Sequence, residues 1–260
     1  MSRWDSFKFH VKTMLKTIAV IKPDPVLKKL ENLYRNKGKK AFVIATGPSL
    51  RVADLEKISK DDITISVNGI WKLFDKTNWR PNYYVMDDKW VYLNYIKNGQ
   101  FIKLEELPQK ETIVSNQVIS SLRYKPDRNR MGKVDVYYAD HWLTHYSKYY
   151  GYISDLNKGY YDLYTVTSLA IELAIYMGFK KIYLLGVDCS YTGAKLHAGE
   201  DKRKTSDIDF DDAIGIQRAM IKGYDVIKEY ADANNVIIKN ATRGGQLEVF
   251  ERVDFDSLFV

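Results

Sequence analysis

Residues able to hold a nucleotide occur in two separate segments, each at the end of a short apolar run. Gly47-Pro48-Ser49 follows the run AFVIA, and Asp188 follows the run IYLLGV. Glycine permits a positive φ or a close backbone approach, and a serine that caps a helix leaves backbone N–H groups free for an anion. We therefore expect Ser49 to cap a helix over residues 50–58, and the two segments to supply two halves of one nucleotide site.

Other polar residues share this position at a strand end or a helix start. The carboxyl ends of parallel strands meet at one edge of a sheet, so these residues are predicted to converge on one ligand. Taken singly, each of them is also a common turn or cap former. The set comprises Ser49, Asn68, Asp87, Asp88, Ser168, Asp188 and Asn240.

Three further groups carry possible chemistry, each with a structural alternative. Arg243 in the loop ATRGG offers a bidentate fork for phosphate or carboxylate, or it marks a simple turn before a helix at Leu247. His141 and His145 have the i, i+4 spacing of a metal pair, but such a pair without a third ligand is usually incidental. The nine tyrosines of residues 137–164 suit a lid over a donor and an acceptor, or a subdomain or homo-oligomer interface.

Strand-like and helix-like patterns alternate along the chain. Strands are predicted at 41–45, 63–67, 82–86, 112–115, 134–138, 182–185 and 236–239, and helices at 50–58, 167–178 and 210–233. The helix at 167–178 is apolar almost all round and should be buried, and the long helix is assigned to ordinary core through Phe210, Ile214, Ile216, Met220, Tyr224 and Ile227. The alternation predicts an α/β protein with a mainly parallel sheet and helices on both faces.

The positive charge is confined to the amino-terminal segment. Residues 1–40 hold eleven basic and three acidic residues, a net of +8, so the rest of the chain sums to −1 of the total of +7. A nucleic-acid-binding protein should carry its basic surface on the fold itself, so that class is disfavoured. Trp4, Phe7 and Phe9 lie among these lysines, which predicts that residues 1–22 form a basic amphipathic helix on an anionic membrane, or a helix packed on the domain or a partner.

The remaining composition favours an intracellular protein. The single cysteine, Cys189, excludes an internal disulfide and fits a reducing compartment. The sequence has no secretory signal and no apolar run that could span a bilayer. We expect a cytoplasmic protein, peripheral at the inner membrane face if residues 1–22 bind lipid, with an extension over residues 1–38 and a catalytic domain over 39–260.

Several segments together resemble a known family. VIATGPSL, SVNGIWKLF, YYVMDD, TSLAIELAIYMGFKKIYLLGVD and IKNATRGGQLEVFERV are similar to the MptE-like family, which includes flagellin-modifying motility accessory factors and archaeal 6-hydroxymethylpterin diphosphokinases. The GPS turn, Asn68 and the block around Asp188 are also similar to the family 42 sialyltransferases. The resemblance implies a Rossmann-like fold over most of residues 40–255.

Residue roles follow from this resemblance. It implies that Gly47, Pro48, Ser49, Asn68, Thr167 and Ser168 contact the nucleotide of a CMP-activated sugar. Asp87 stands where the sialyltransferases have Asn, and a carboxylate repels phosphate unless it is protonated, metal-bridged or turned to a ribose hydroxyl. The resemblance also points to Asp188, to His197 as general base, and to Tyr191 as a lid or phosphate contact.

Three functions are consistent with these residues. The first is an inverting glycosyltransferase that needs no metal and moves an acidic sugar from CMP to a surface glycan, glycolipid or glycoprotein. The second is a pterin diphosphokinase that uses ATP and Mg²⁺, with Asp87, Asp88 and Asp188 as metal ligands. The third is a non-catalytic nucleotide-binding scaffold. The basic extension favours the first, because an enzyme of membrane-linked glycans gains from residence at the membrane.

Overall fold

The computed structural model describes the protein over residues 25–88, 91, 94–95, 97, 111–115, 136–139, 155–157, 160, 163–193, 195–198 and 209–259. The helices are α1 (Pro25–Leu30), α2 (Val52–Lys57), α3 (Val166–Tyr176) and α4 (Phe210–Ala233), with 3₁₀ helices at Asn68–Lys76 and Asp256–Phe259. The strands are β1 (Ala41–Ile44), β2 (Ile63–Val67), β3 (Tyr83–Met86), β4 (Glu111–Ser115), β5 (Val136–Ala139), β6 (Lys181–Leu185) and β7 (Ile237–Asn240).

Within the described residues the strands form one sheet in the order β5-β4-β3-β2-β1-β6-β7. Every neighbouring pair is parallel. The interior strand β1 is fully buried because it lies between β2 and β6, with Ala41 opposite both Ile63 and Ile182. The predicted parallel α/β sheet is therefore confirmed, and its strand ends bring the loops after β1, β2 and β6 to one edge.

Helices cover both faces of the sheet, as predicted. On one face, α3 and α4 pack with Leu27 and Leu30 of α1 against β1, β2, β3, β6 and β7. On the other face, α2, the 3₁₀ helix at Asn68–Lys76 and Phe255 pack against Phe42 and Tyr84. Two separate apolar cores result, one on each side of a sheet whose central strands are shielded from water.

Helix α3 is buried along its length and ends where the sequence predicts. Leu169, Leu173 and Ala174 have no exposed surface. Gly178 has φ +88°, and the N–H of Phe179 reaches back to the carbonyl of Ala174. This left-handed glycine closes the helix carboxyl end in the manner of a Schellman motif.

Several expectations need correction. Helix α2 begins at Val52, and Arg51 occupies its N-cap position without a side-chain capping bond, so Ser49 is not its cap. Residues 247–250 form no helix. Strand β5 begins at Val136, two residues after the predicted start, and includes Tyr137 and Tyr138. Ile214 and Ile216 of α4 are 38% and 37% exposed, so the buried face of that helix is narrower than predicted.

Part of the amino-terminal extension packs on the domain. The N–H groups of Asn32 and Tyr34 donate to the carbonyls of Tyr176 and Met177 at 2.9 and 2.8 Å, and the ring of Tyr34 stacks on Phe179. Residues 1–24, His141, His145 and most of the tyrosine-rich stretch lie outside the described residues. No helix in the described ranges combines the length and apolar character that a membrane crossing requires.

Candidate nucleotide site

A cleft opens where β1, β2 and β6 end and α3 begins. It encloses about 520 Å³ when space open to solvent is counted. Six of the residues predicted from the sequence line it: Gly47, Asn68, Thr167, Asp188, Tyr191 and His197. The expected convergence of the loops after β1, β2 and β6 is thus present in the fold.

Gly47 and Gly245 allow two loops to close around Asp188. A Cβ atom on Gly47 would lie 1.9 Å from Oδ2 of Asp188, and a Cβ on Gly245 would lie 2.3 Å from the Asp188 carbonyl oxygen. Real Cβ atoms do not approach so closely, and Gly245 also has φ +78°. The N–H of Gln246 donates to the Asp188 carbonyl at 2.7 Å, so both loops depend on glycine to hold Asp188 in place.

Ser49 orients the carboxylate of Asp188. Its hydroxyl donates to Oδ2 at 2.8 Å, and its N–H lies 3.4 Å from the same atom. Asp188 is only 6% exposed. Burial raises the pKa of Asp188, while the bonds from Ser49 and the charge of Arg252 oppose that rise. Ser49 therefore acts at the site through Asp188.

Two neighbours of Asp188 stay protonated near neutral pH. Burial raises the pKa of the Cys189 thiol to about 12, and the charge of Asp188 adds to the effect. Burial likewise raises the pKa of Tyr191 to about 12. Since Tyr191 keeps its proton, its hydroxyl can donate a hydrogen bond to a phosphate oxygen.

The amino terminus of α3 faces the cleft with hydroxyl groups. Thr165 caps the helix by accepting a bond from the N–H of Thr167 at 3.2 Å. Tyr224 of α4 shares hydrogen bonds with the side chains of Thr165 and Thr167. Ser168 is turned away, because it is fully buried and its hydroxyl donates to the Thr165 carbonyl at 2.6 Å. The partial positive charge at this helix end favours an anionic group in the cleft.

His197 is held against the end of β1. The N–H of Ala198 donates to the Thr46 carbonyl at 2.7 Å, and the Thr46 hydroxyl lies 3.3 Å from Nδ1 of His197. The sequence gives one signal for Thr46, its position immediately before the GPS turn, and the prediction missed it. A contact over 151 residues cannot be inferred from spacing.

Asn68 adopts a backbone conformation that is uncommon for a residue with a side chain. Its φ is +41°, and its carbonyl accepts a bond from the Tyr84 hydroxyl at 2.7 Å. Its Oδ1 is buried and has no hydrogen-bond partner among the residues that the structure describes. Cys189, which also lines the cleft, has φ +49°. Conformations of this kind cost free energy, and two of the six non-glycine residues with positive φ in the described ranges lie on the cleft.

Asp87 and Asp88 do not line the cleft. The buried hydroxyl of Tyr160 donates to a carboxylate oxygen of Asp87, and Asp88 accepts a bond from the N–H of Val91 at 3.2 Å. Within the described ranges, three or more His, Cys, Asp or Glu side chains nowhere gather as a metal site would require. Pro48 belongs to the same turn as Gly47 but is not part of the lining.

Arg243 points into an ion-pair network and does not line the cleft. It donates to both carboxylate oxygens of Asp54, at 2.7 and 2.8 Å, and to Asp256 at 2.9 Å. Asp54 is 2% exposed. The hydrogen bonds that the carboxylates of Asp54 and Asp256 accept raise the pKa of Arg243 further. Its predicted role in phosphate binding is not supported, since its donors are committed to these two acids.

Comparisons with known proteins agree with this fold. A family model described as 6-hydroxymethylpterin diphosphokinase MptE-like matches residues 12–194. The MAf glycosyltransferase from Magnetospirillum magneticum AMB-1 superposes with a TM-score of 0.51 at 15% identity, over 92% of this chain and 40% of that one. The chain therefore spans less than half the length of that protein. A comparison with curated proteins finds no match.

Two sialyltransferases from Campylobacter jejuni are similar at lower scores. CstII, solved with the substrate analogue cytidine-5'-monophosphate, has a TM-score of 0.48 at 15% identity, over 83% of this chain and 85% of that one. The monofunctional alpha-2,3-sialyltransferase Cst-I has a TM-score of 0.49 at 13% identity, over 85% of this chain and 82% of that one.

Proposed function

Since the chain belongs to the MptE-like family, whose model covers residues 12–194, we propose that it is an inverting glycosyltransferase. The proposed donor is a CMP-activated acidic sugar, and the proposed acceptor is a surface glycan, glycolipid or glycoprotein. The observation that carries the proposal is the placement of His197 on the same cleft as the α3 amino terminus. The cleft thus contains both a candidate base and hydroxyl groups that can donate hydrogen bonds to a phosphate.

The donor groups of the cleft suit a departing nucleoside monophosphate. Thr167, Tyr191 and Tyr224 supply neutral hydroxyls beside the helix terminus. Among the described residues that line the cleft, Asp188 is the one acid. Preorganised donors aimed at developing negative charge stabilise a transition state strongly in a site with little water. The resemblance of the GPS turn and the Asp188 block to sialyltransferases supplies the choice of CMP.

The proposed reaction needs one proton acceptor. The acceptor hydroxyl oxygen attacks the anomeric carbon on the face opposite the phosphate, and the bond from that carbon to the phosphate oxygen breaks. CMP leaves with the bonding electron pair, and His197 takes the proton of the attacking hydroxyl. A positioned base contributes roughly 10²–10⁴-fold to such a step.

The family description favours a second candidate, a pterin diphosphokinase. That reaction transfers diphosphate from ATP and uses Mg²⁺, which carboxylates would hold. The proposed ligands would be Asp87, Asp88 and Asp188. The bond between Asp87 and Tyr160 and the position of Asp87 and Asp88 off the cleft lining weigh against this set.

Calorimetric titration separates the candidates. The full chain is titrated with CMP, UDP, GDP and ATP, each with and without Mg²⁺, and release of CMP from CMP-sialic acid is then measured with a panel of oligosaccharide acceptors. We expect CMP to bind without added metal and His197→Ala to lose turnover while it still binds CMP. Tight ATP binding that requires Mg²⁺ would favour the diphosphokinase, and nucleotide binding without any turnover would favour the non-catalytic scaffold.

We further propose that residues 1–22 hold the enzyme at the cytoplasmic face of an anionic membrane. Their basic and aromatic residues support this placement, because such helices lie in the headgroup region. Flotation with phosphatidylserine liposomes, and with phosphatidylcholine liposomes as control, would test it. Removal of residues 1–25 should abolish flotation with the anionic lipid, and unchanged flotation would contradict the proposal.

A further inference from the structure

We propose that Thr46 is a positioning residue that fixes the tautomer of His197, so that Nε2 is the nitrogen that accepts the substrate proton. The inference deepens the proposed function and rests on the role of His197 in it. It adds a residue that neither the sequence pattern nor the family comparison identifies, and it specifies which atom of the imidazole does the chemistry.

Thr46 sits at a rigid point of the fold. The N–H of Ala45 before it donates to Leu185 at 2.9 Å, and the N–H of Gly47 after it donates to Gly186 at 2.8 Å. Thr46 is thus clamped between two backbone bonds from the end of β1 to the end of β6, and it is 6% exposed. A side chain on such a support has little freedom to move.

Both polar groups of Thr46 reach the loop that carries His197. The carbonyl accepts from the N–H of Ala198 at 2.7 Å and fixes the loop backbone. The hydroxyl oxygen lies 3.3 Å from Nδ1 and fixes the ring. Both contacts come from Thr46, so this one residue sets the distance between the imidazole ring and the end of β1.

The position of the imidazole hydrogen decides which group donates in the contact between the Thr46 hydroxyl and Nδ1 of His197. A neutral histidine that acts as a base through Nε2 carries its hydrogen on Nδ1, and that N–H needs an acceptor. The Thr46 oxygen can accept it. When Nε2 takes the proton of the attacking hydroxyl, Nδ1–H still donates to the same oxygen, which then stabilises the imidazolium. The reverse direction would place the hydrogen on Nε2 and leave no lone pair there for the reaction.

Thr46→Val tests the hydroxyl alone, because valine keeps the branched shape and the carbonyl that binds Ala198. We expect kcat to fall about tenfold, part of the roughly 10²–10⁴-fold contribution of a positioned base, with the KM for donor little changed. The acidic limb of the pH profile of kcat/KM should move to lower pH, because the imidazolium loses an acceptor. Thr46→Ser should restore both quantities toward wild type.

Two controls keep the result specific. Thr64→Val removes a comparably buried hydroxyl in β2, which donates a hydrogen bond to the side chain of Asn82. This substitution should leave kcat and the pH profile unchanged. Nitrogen-15 NMR of labelled histidine, assigned with His197→Gln, reports the tautomer directly. The wild type and Thr46→Ser should show the Nδ1–H form, and Thr46→Val a mixture. Thr46→Ala, checked by circular dichroism, serves if the valine variant fails to fold.

The outcomes distinguish this inference from the proposed function. If His197→Ala retains turnover, the base assignment itself is wrong. If His197→Ala is inactive while folded Thr46→Val or Thr46→Ala keeps the wild-type kcat, pH profile and tautomer, the role of Thr46 alone is overturned. If Thr46→Val has no further effect on the residual rate of His197→Ala, the two residues act as one unit, as inferred.

Discussion

The loops after β6 and β7 leave the same edge of the sheet from adjacent parallel strands, yet they differ in what their charged residue contacts. Asp188 after β6 is bonded by a serine hydroxyl and borders the cleft. Arg243 after β7 is bonded by two carboxylates and lies off the cleft. In the sequence both residues show the same pattern, a polar residue that follows an apolar strand, and this pattern predicts a binding site.

The difference lies in where each charge is neutralised. The network of Arg243 contains two carboxylates, which satisfy its donors within the protein and tie the β7 loop to α2 and the carboxyl-terminal 3₁₀ helix. The carboxylate of Asp188 is oriented by neutral donors, and its pKa is raised. We therefore propose that the loop after β6 serves the site, because neutral groups donate the hydrogen bonds to its carboxylate, and that the loop after β7 is structural.

The largest expected effect separates the two loops by activity. His197→Ala in the β6 loop should reduce turnover by about 10²–10⁴-fold, because the proton acceptor is lost. Release of CMP under saturating donor measures it, with thermal denaturation to verify folding. Arg243→Gln should keep turnover per folded molecule close to wild type. A greater loss of turnover in Arg243→Gln than in His197→Ala would reverse the assignment of the two loops.

The reaction rate of the Cys189 thiol tests whether the loop after β6 is buried. With its pKa raised to about 12 from the ordinary value of 9.0, its thiolate fraction near pH 8 should fall by about 10³-fold, and so should its rate of reaction with a thiol reagent. The chain has one cysteine, so the whole signal comes from this residue. Protein unfolded in urea is the control and should react at the rate of a free thiol. Fast labelling of the folded protein would show that the β6 loop is open.

Arg243→Gln tests the β7 loop by stability. It leaves Asp54 buried without its partner, which should cost about 3 kcal/mol of unfolding free energy in a urea titration. Arg243→Gln combined with Asp54→Asn should recover part of that loss. Lys228→Gln, which breaks an exposed pair with Asp232, should cost about 0.5 kcal/mol or less. Equal losses of unfolding free energy in Arg243→Gln and Lys228→Gln would contradict a stabilising role of the pair between Arg243 and Asp54.

The smallest expected effect concerns the charge of Asp188. A carboxyl group whose folded pKa lies above its unfolded value costs stability once it ionises, so that cost appears as pH rises from about 3.8 through the folded value. Asp188→Asn removes the cost and should raise the Tm at pH 7 by about 2 °C, with the difference vanishing in acid. The exposed Asp61→Asn is the control. A lower Tm for Asp188→Asn at pH 7 would contradict this account.

Local patterns in the sequence predicted most of the scaffold. The bounds of β2 and α4 agree with the prediction to the residue. Gly47, Asn68 and Asp188 meet at one cleft because parallel strands place their carboxyl ends together. The identity of the ligand and the roles of the site residues stay predictions, as does the function of residues 1–24 and the tyrosine-rich stretch.

The wrong predictions concern residues whose contacts are made with partners that lie far away in the sequence. Arg243 and Asp54 are 189 residues apart, and Asp87 and Tyr160 are 73 apart, so no periodicity links them. The helix predicted at Leu247 fails because the guanidinium of Arg252 binds the carbonyls of Thr242 and Gly244 and the Asn240 carbonyl binds Val253. Leu247 and Phe250 have helical spacing, but these contacts fold the segment back on β7.

The two glycines that enclose Asp188 impose a joint constraint on evolution. A side chain at position 47 would collide with the Asp188 carboxylate, and one at position 245 would collide with the Asp188 backbone. A relative that has lost Gly47 cannot keep an aspartate in this pose. Even a relative that has lost Asp188 still needs glycine at position 47, because a Cβ there would lie 2.5 Å from the Gly186 carbonyl oxygen. Among homologous sequences, positions 47 and 245 should therefore both remain glycine, including where position 188 is not aspartate.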